Sequence, residues 1–177
     1  MPKKALNDQN MPLYEWSTDA QVNACYNAVN RHVLAGRAGQ AAVIHDSPIT
    51  GSKRVISYGQ LQDNVARLAG ALSTKGVCMG DRVVIYIPML PGALEAMLAC
   101  MRIGAIHSVV FGGFAAAELA MLIDDCTPKA VIATSFGLEP SCVVNYKPLL
   151  DGAIEIAKHK LDFCIILQRP QGEPQMV

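Results

Sequence analysis

The 177-residue sequence has no excess of charge of either sign. Fifteen Lys and Arg residues balance fifteen Asp and Glu residues, and like charges do not occur in runs. Nucleic acids and anionic membrane surfaces are bound mainly through clustered basic residues. The sequence therefore predicts neither nucleic acid nor a membrane as a partner.

The sequence also lacks the spacings that mark metal and redox sites. Its six cysteines form no C-x-x-C pair, and most lie in apolar segments, where a thiol behaves as a small hydrophobic group. His32, His45 and His159 lack zinc-ligand spacing, and His107 falls inside a predicted strand, where a core role is expected. No G-x-S-x-G nucleophile motif occurs. We therefore predict no metal site, no catalytic residue within this chain and a reducing compartment.

Targeting and membrane-spanning segments are also missing. The first residues, MPKKALNDQNMP, contain neither the apolar stretch of a secretory signal nor the Arg-rich pattern of a mitochondrial leader. In the most apolar window, 83–101, Pro88, Pro91 and Glu95 interrupt the run, so a strand, a turn and a helix are expected in place of a membrane span. We expect an intracellular protein, cytoplasmic or in the mitochondrial matrix.

The first half of the chain predicts an extended arm, a helix and a pair of short strands. Residues 1–16 show no periodicity and are expected to form the arm, with residues 17–177 forming an α/β domain. Thr18 and Gln21 have the spacing of a capping box, which predicts a helix ending near Gly36. Short strands are predicted at 41–46 and 53–58. A second capping box, Ser57 with Gln60, predicts a helix that ends near Gly76.

From residue 80 onward, strands and helices alternate. Strands are predicted at 81–88, 105–111, 129–134 and 161–167, and helices at 92–104, 115–126 and 149–160. The strands are nearly continuous runs of Val, Ile and Leu, which is typical of sheets covered on both faces. Such repeats join parallel strands by right-handed crossovers. The predicted fold is therefore α/β with a parallel, doubly wound sheet, preceded by a helical arm and a short strand pair.

The predicted helix 92–104 is apolar around nearly its whole circumference. Its only charges, Glu95 and Arg102, are seven residues apart and so lie on nearly the same face. A helix of this composition is expected to be buried on almost all sides. We therefore expect either a dimer or a further protein layer over this helix, and a chain that is part of something larger.

The segment FGGF, 111–114, lies where the second strand of this region leads into a helix. In open α/β sheets, ligands bind beyond the carboxyl ends of the strands, and glycine permits close approach of a ligand to the backbone. Phe111 or Phe114 would be able to stack on a flat ring. The alternative is that the glycines serve only turn geometry and the phenylalanines only the core. The segment matches neither dinucleotide-binding nor P-loop motifs.

Three segments together resemble a known family. WSTDAQVNACYNAVNRHV, GDRVVIYIPMLPGALEAMLACMRIGAIHSVVFGGF and SFGLEP are similar to the N-terminal part of short-chain acyl-CoA synthetases, the acetyl- and propionyl-CoA synthetase branch of the adenylate-forming ligases. The resemblance covers roughly residues 14–170. It implies that ATP and a carboxylate form an acyl-adenylate with release of pyrophosphate, followed by acyl transfer to coenzyme A (CoA). It also implies ATP, CoA and Mg²⁺ as cofactors.

The resemblance implies CoA-binding residues in two turns. They are Phe111, Gly112, Gly113, Glu139, Pro140, Ser141 and Cys142. The first turn is implied to lie beside the CoA nucleotide, and the second to correspond to the family's CoA-phosphate turn, which usually ends in Gly-Arg. Ser141 and Cys142 stand at those positions here. A charge-assisted hydrogen bond contributes about 1.5–3 kcal/mol, so the lost arginine is expected to weaken CoA binding about ten- to hundredfold.

The family's enzymes are several times longer than this chain. The resemblance therefore implies that the Ser/Thr/Gly-rich phosphate loop, the later ATP- and Mg²⁺-binding motifs, the acyl pocket and the C-terminal domain lie outside it. We expect no turnover by this fragment alone, and both acetate and propionate remain candidates, with SFGLEP favouring propionate. The alternatives are a non-catalytic α/β module that binds a partner or self-associates through exposed apolar surface, and an unrelated flavodoxin-like binding domain.

Overall fold

The computed structural model describes residues 3–140 and 142–170. Two short antiparallel strands, β1 (Leu6–Asn7) and β2 (Glu15–Trp16), come first. The helical segment that follows begins at residue 24 and contains two π-helical turns, Tyr26–Asn30 and Val33–Arg37. The predicted capping box at Thr18 and Gln21 is wrong. Asn23 caps the helix instead, because its Oδ1 accepts the Tyr26 N–H at 3.0 Å.

A hairpin and a long helix complete the first half. β3 (Ala41–Ser47) pairs antiparallel with β4 (Ser52–Ser57), and α1 (Tyr58–Thr74) follows directly. The capping box predicted for α1 is confirmed. Ser57 Oγ accepts the Gln60 N–H at 3.3 Å, and Gln60 Oε1 accepts the Ser57 N–H at 2.9 Å.

The second half forms a parallel sheet with helices on both faces, as predicted. In chain order the elements are β5 (Arg82–Tyr86), α2 (Pro91–Ile103), β6 (Ile106–Val109), α3 (Ala116–Cys126), β7 (Ala130–Thr134), β8 (Phe136–Leu138), β9 (Val143–Asn145), α4 (Tyr146–Ile156) and β10 (Phe163–Leu167). The sheet order is β10-β7-β5-β6, with every pair parallel. The chain moves from β5 to β6 on one side and returns past β5 to β7 on the other. The connections therefore reverse direction between β5 and β7.

The side chains of β5 alternate between two cores. Val83 and Ile85 pack with α1 and α2 on one face of the sheet, and Val84 and Tyr86 pack with α3 and α4 on the other. Because β5 is a central strand, it is buried on both faces, which explains its continuous apolar run.

The cover over α2 comes from the chain itself. None of the residues of α2, all of them within the described part, is exposed, but only five of its 13 residues are buried and the rest are half-buried. The prediction of a helix buried on almost all sides is therefore confirmed in part. α1 packs along it, with Asn64 Nδ2 donating to Glu95 Oε1 at 2.8 Å, and Asn23 Nδ2 donates to the Met101 carbonyl at 3.1 Å. Sequence periodicity could not show that α1 and the helical segment fold back onto this helix. The expectation of a second copy or a further layer over it stays a prediction, since most of its residues are only half-buried here.

Two further features differ from the predictions: the start of α4 and an additional hairpin. α4 begins at Tyr146, three residues before the predicted start, because Pro148 is accommodated in the first turn, where no intrahelical N–H bond is lost. β8 and β9 pair as an antiparallel hairpin that the sequence analysis did not predict. Across the described ranges, 3–140 and 142–170, no helix has the length and hydropathy needed to cross a membrane.

Candidate functional site

A cavity lies at the edge of the sheet where the parallel strands end. Its volume is about 470 Å³, within the range of small-molecule sites. It is lined by the segments that follow the strands β5, β6 and β7, together with Val144 and Tyr146; these segments are 87–89, 109–113 and 137–139. This position is adjacent to the reversal of strand order, where open α/β sheets bind ligands. We refer to it as the carboxyl-edge cavity.

Tyr146 forms one wall of the cavity, and two glycines make room for it. The side chain is 4% exposed, and its ring packs on the ring of Tyr86 with centroids 4.7 Å apart. A Cβ atom added to Gly112 would overlap the Tyr146 hydroxyl, and one added to Gly137 would overlap the Tyr146 ring. Neither glycine has a positive φ. Glycine is thus needed at these two positions for space, not for backbone conformation.

The other half of the FGGF turn lies at the mouth of the cavity. A Cβ on Gly113 would lie 2.5 Å from Cε1 of Phe111, whose side chain is 72% exposed. The Phe111 ring meets the Phe114 ring edge to face, with centroids 5.9 Å apart. The Phe114 N–H donates to the Phe111 carbonyl at 3.2 Å and closes the turn. The exposed Phe111 ring is therefore available for stacking on a planar ligand.

Tyr86 ties the end of β5 to this turn. Its side chain is fully buried, and its hydroxyl donates to the Phe114 carbonyl at 2.8 Å. Burial, with a smaller contribution from Tyr146, raises the pKa of Tyr86 to about 12. The pKa of Tyr146 is also raised, first by burial and then by the Glu139 carboxylate, while the Arg169 guanidinium opposes the shift. Both phenols are therefore protonated near neutral pH and able to donate hydrogen bonds.

The β8–β9 hairpin carries the second predicted turn. The Glu139 N–H donates to the Cys142 carbonyl at 2.9 Å and closes the end of the hairpin. Glu139, Pro140 and Cys142 are all exposed, and of the three only Glu139 lines the cavity. Ser141 lies outside the described residues.

The structure thus brings four of the seven predicted CoA-binding residues to one cavity. They are Phe111, Gly112, Gly113 and Glu139. Tyr146 and Gly137 also line it, and sequence reasoning did not identify them as site residues. Both lie in or beside the three-residue strands β8 and β9, which are too short to give a periodic signal. The only available signal was the glycine in SFGL and the tyrosine in VVNY, residue types that often line close backbone contacts.

The start of α4 is fixed by hydrogen bonds to Ser135, which lies between β7 and β8. The carbonyl of Ser135 accepts the Tyr146 N–H at 3.1 Å, and Ser135 Oγ accepts the Arg169 N–H at 2.9 Å. The Arg169 guanidinium donates to the Phe136 carbonyl at 3.0 Å. These bonds join the backbone at Tyr146 to Ser135, and Ser135 and Phe136 to Arg169, so the start of α4 has a defined position beside the cavity.

The histidines and acidic residues do not assemble into a metal centre. Among residues 3–140 and 142–170 there is no group of three or more His, Cys, Asp or Glu side chains arranged to hold an ion. His159 Nε2 lies 2.8 Å from the Pro128 carbonyl, and its backbone N–H donates to Asp124 Oδ1 at 2.9 Å. His159 and Asp124 therefore join α3 to the end of α4, which is a structural role.

The fold and cavity define an α/β domain built to hold a small ligand at the carboxyl edge of a parallel sheet. Residues 31–173 match the family described as AMP-binding enzyme. Because the match covers most of the sequence, the chain belongs to the AMP-binding enzyme family.

Several proteins are similar to the chain along almost its whole length. The mitochondrial acyl-CoA synthetase short-chain family member 3 of Rattus norvegicus is 48% identical over 96% of this chain and 25% of the relative. An uncharacterized protein of Pseudomonas aeruginosa is 52% identical over 92% of this chain and 26% of the relative. The acetyl-coenzyme A synthetase of Streptomyces avermitilis is 44% identical over 86% of this chain and 23% of the relative.

These similarities confirm the resemblance to short-chain acyl-CoA synthetases. The chain spans about a quarter of the length of these relatives. That coverage agrees with the expectation that the chain corresponds to only part of such an enzyme.

Proposed function

We propose that the chain contributes the CoA-nucleotide surface of an ATP-dependent short-chain carboxylate–CoA ligase. The reaction converts acetate or propionate, ATP and CoA into acyl-CoA, AMP and pyrophosphate. The observation that carries the proposal is the carboxyl-edge cavity with the FGGF turn at its mouth, in a chain 48% identical to a protein named as an acyl-CoA synthetase.

In this proposal the two turns share the CoA nucleotide. The exposed ring of Phe111 stacks on the base, and the nucleotide lies along the turn at Gly112 and Gly113, which line the cavity. Pro140 and Cys142, at the tip of the hairpin, face the phosphates. Cys142 is exposed and supplies no positive charge, so phosphate binding there is weak.

The remaining chemistry belongs to parts of the enzyme that this chain does not include. We propose that residues 17–177 form part of the N-terminal domain and that 1–16 are an arm preceding it. ATP, Mg²⁺ and the carboxylate are held by residues outside the chain, which spans only 25% of the length of its acyl-CoA synthetase relative. The chain alone therefore releases no pyrophosphate, and the enzyme acts in the cytoplasm or the mitochondrial matrix.

The proposal is tested by titrating CoA into the chain and into Cys142→Arg, using calorimetry or ligand-observed NMR. Wild type is expected to bind weakly. The new guanidinium at the hairpin tip is expected to tighten CoA about ten- to hundredfold, because it restores a charge-assisted bond to phosphate.

The matched control is Cys78→Arg, which places the same charge at an exposed cysteine before β5, at the opposite edge of the sheet. It is expected to leave CoA affinity unchanged. Submicromolar binding of CoA by wild type would contradict the argument from Cys142. No detectable CoA binding by wild type or by Cys142→Arg would contradict the proposed function.

The second candidate is a non-catalytic module that self-associates or binds a partner. It is favoured by the outermost strand β6, where Ile106 is 56% exposed and Val109 is 51% exposed. An uncapped, apolar edge strand is a common site of strand pairing. Analytical ultracentrifugation and CoA titration of Ile106→Lys separate the two candidates. The non-catalytic module requires self-association or partner capture that this substitution abolishes. The ligase proposal requires CoA binding that this substitution leaves unchanged.

A further inference from the structure

The hydroxyl group of Tyr146 is a polar group that does not help to hold the described fold together. The side chain is 4% exposed, and its ring is enclosed by the Tyr86 ring, Gly112 and Gly137. Within the part of the chain that the structure describes, its hydroxyl makes no hydrogen bond, although every fully buried side-chain N or O atom there has a partner. The hydroxyl therefore keeps access to the cavity that Tyr146 lines.

The neighbouring Tyr86 provides a contrast within the same aromatic pair. Its hydroxyl donates to the Phe114 carbonyl at 2.8 Å, so its hydrogen bond is internal. Hydroxyl groups in a protein interior are almost always paired, because an unpaired one loses the hydrogen bonds that water would otherwise provide. Gly112 and Gly137, which lack side chains where Tyr146 needs space, hold the Tyr146 ring in a position that leaves its hydroxyl unpaired. A ligand in the cavity would supply the missing partner.

Charge at the cavity wall indicates which part of a nucleotide lies there. Glu139 lines the same cavity, and its carboxylate acts electrostatically on Tyr146. The Arg169 guanidinium acts on Tyr146 in the opposite direction, but Arg169 is not a lining residue and donates to the Phe136 carbonyl. A carboxylate repels phosphate but accepts hydrogen bonds from an amino group. A phenol donor beside a carboxylate acceptor is complementary to the edge of adenine, where a ring nitrogen acceptor lies next to the exocyclic amino donor.

We propose that the Tyr146 hydroxyl and the Glu139 carboxylate read the adenine edge of the CoA nucleotide, with the phenol donating to a ring nitrogen and the carboxylate accepting from the amino group. This inference rests on the proposed function of the cavity. It places the adenine base in the carboxyl-edge cavity and the phosphates at the hairpin tip. It also makes Tyr146 a specificity-determining residue.

The first test removes only the oxygen. Tyr146→Phe keeps the ring between the two glycines and against Tyr86, so the fold is expected to be retained, as checked by circular dichroism. CoA affinity, measured by NMR titration of the 177-residue chain, is expected to fall about fivefold. The control is Tyr58→Phe on α1, whose ring packs against His32 and does not line the cavity, so CoA affinity is expected to stay unchanged.

The second test needs no change at Tyr146 and so does not depend on that variant folding. The ring nitrogen beside the amino group on the edge in question is N7. Deamino-CoA, in which hypoxanthine replaces adenine, keeps N7 as an acceptor for the Tyr146 hydroxyl but presents a carbonyl where the carboxylate expects an amino group. Wild type is expected to bind it about tenfold more weakly than CoA, and Glu139→Gln, whose amide is able to donate, is expected to remove most of that difference. ATP is titrated in parallel to distinguish CoA from a free adenine nucleotide, and binding tighter than that of CoA would reassign the cavity to ATP and overturn the proposal.

The outcomes separate this inference from the proposed function. If wild type binds CoA but neither Tyr146→Phe nor deamino-CoA changes the affinity, Tyr146 is only a packing residue and the inference fails while the function stands. If wild type binds no CoA, both fail.

Discussion

The two faces of the central sheet are built from different side chains. On the face covered by α1 and α2, the fully buried residues are aliphatic, alanine or cysteine, and we call it the aliphatic face. On the face covered by α3 and α4, Tyr86 and Tyr146 lie in the core and reach the carboxyl edge, and we call it the tyrosine face. Aliphatic packing without polar atoms gives stability alone. The tyrosine face combines packing with hydroxyl groups and glycine-made space, which a binding site requires.

The largest expected effect is a loss of stability on the aliphatic face. Leu72 of α1 is completely buried, so Leu72→Ala is expected to lower the free energy of unfolding by about 2–5 kcal/mol, through lost burial and a residual cavity. Urea denaturation measures this change. Leu34→Ala, at a side chain 74% exposed, is the matched control and is expected to stay within about 0.5 kcal/mol of wild type. A loss below 1 kcal/mol for Leu72→Ala would contradict the assignment of this face as the main source of stability.

A smaller effect separates the two adjacent glycines of the FGGF turn. Gly112→Ala places a methyl group against the Tyr146 hydroxyl, and Tyr146 is enclosed and unable to move aside. The expected loss of unfolding free energy is about 1–3 kcal/mol, as for other overpacked sites. Gly113→Ala meets only the Phe111 ring, which is exposed and free to rotate, so an effect below about 0.5 kcal/mol is expected. Thermal unfolding compares the pair, and equal losses would show that Tyr146 is not the reason for Gly112.

A further, modest loss of stability is expected at Tyr86. Tyr86→Phe removes the hydrogen bond to the Phe114 carbonyl and is expected to cost about 1 kcal/mol. Tyr86 also makes stability depend on pH at the alkaline end. Its pKa is raised from 10.0 to about 12 in the folded state, so its stabilisation is fully present below pH 10 and is lost as pH rises toward 12.

Denaturation at a series of alkaline pH values measures this contribution. Tyr86→Phe is expected to flatten the decline, because the remaining titration comes from other groups. A variant that declines as steeply as wild type between pH 10 and 12 would show that the Tyr86 phenol does not account for the loss.

The sheet could be predicted from sequence because its signals are long and local. The apolar runs of β5 and β7 predict strands buried on both faces, and Ser57 with Gln60 predicts the start of α1. The helix start predicted from Thr18 and Gln21 was wrong. These two residues have the spacing of a capping box, but Asn23 is the residue whose side chain accepts a hydrogen bond from a helix N–H group.

The cavity wall could be predicted only in part. The FGGF turn follows a recognisable strand, whereas Tyr146 and Gly137 meet across a hairpin of three-residue strands with no periodicity. The cover over α2 was missed for a related reason. Contacts such as Asn23 to Met101 join residues 78 positions apart, and a periodic pattern carries no information on such pairs.

Chemical-shift mapping of CoA binding by ¹H–¹⁵N NMR tests most directly whether the ligand lies on the tyrosine face. Titration is expected to shift the amides of Gly112, Gly113, Gly137 and Tyr146, and to leave those of α1 and α2 unchanged. Shifts concentrated on α1 or α2, with the glycine amides unaffected at saturation, would contradict the account.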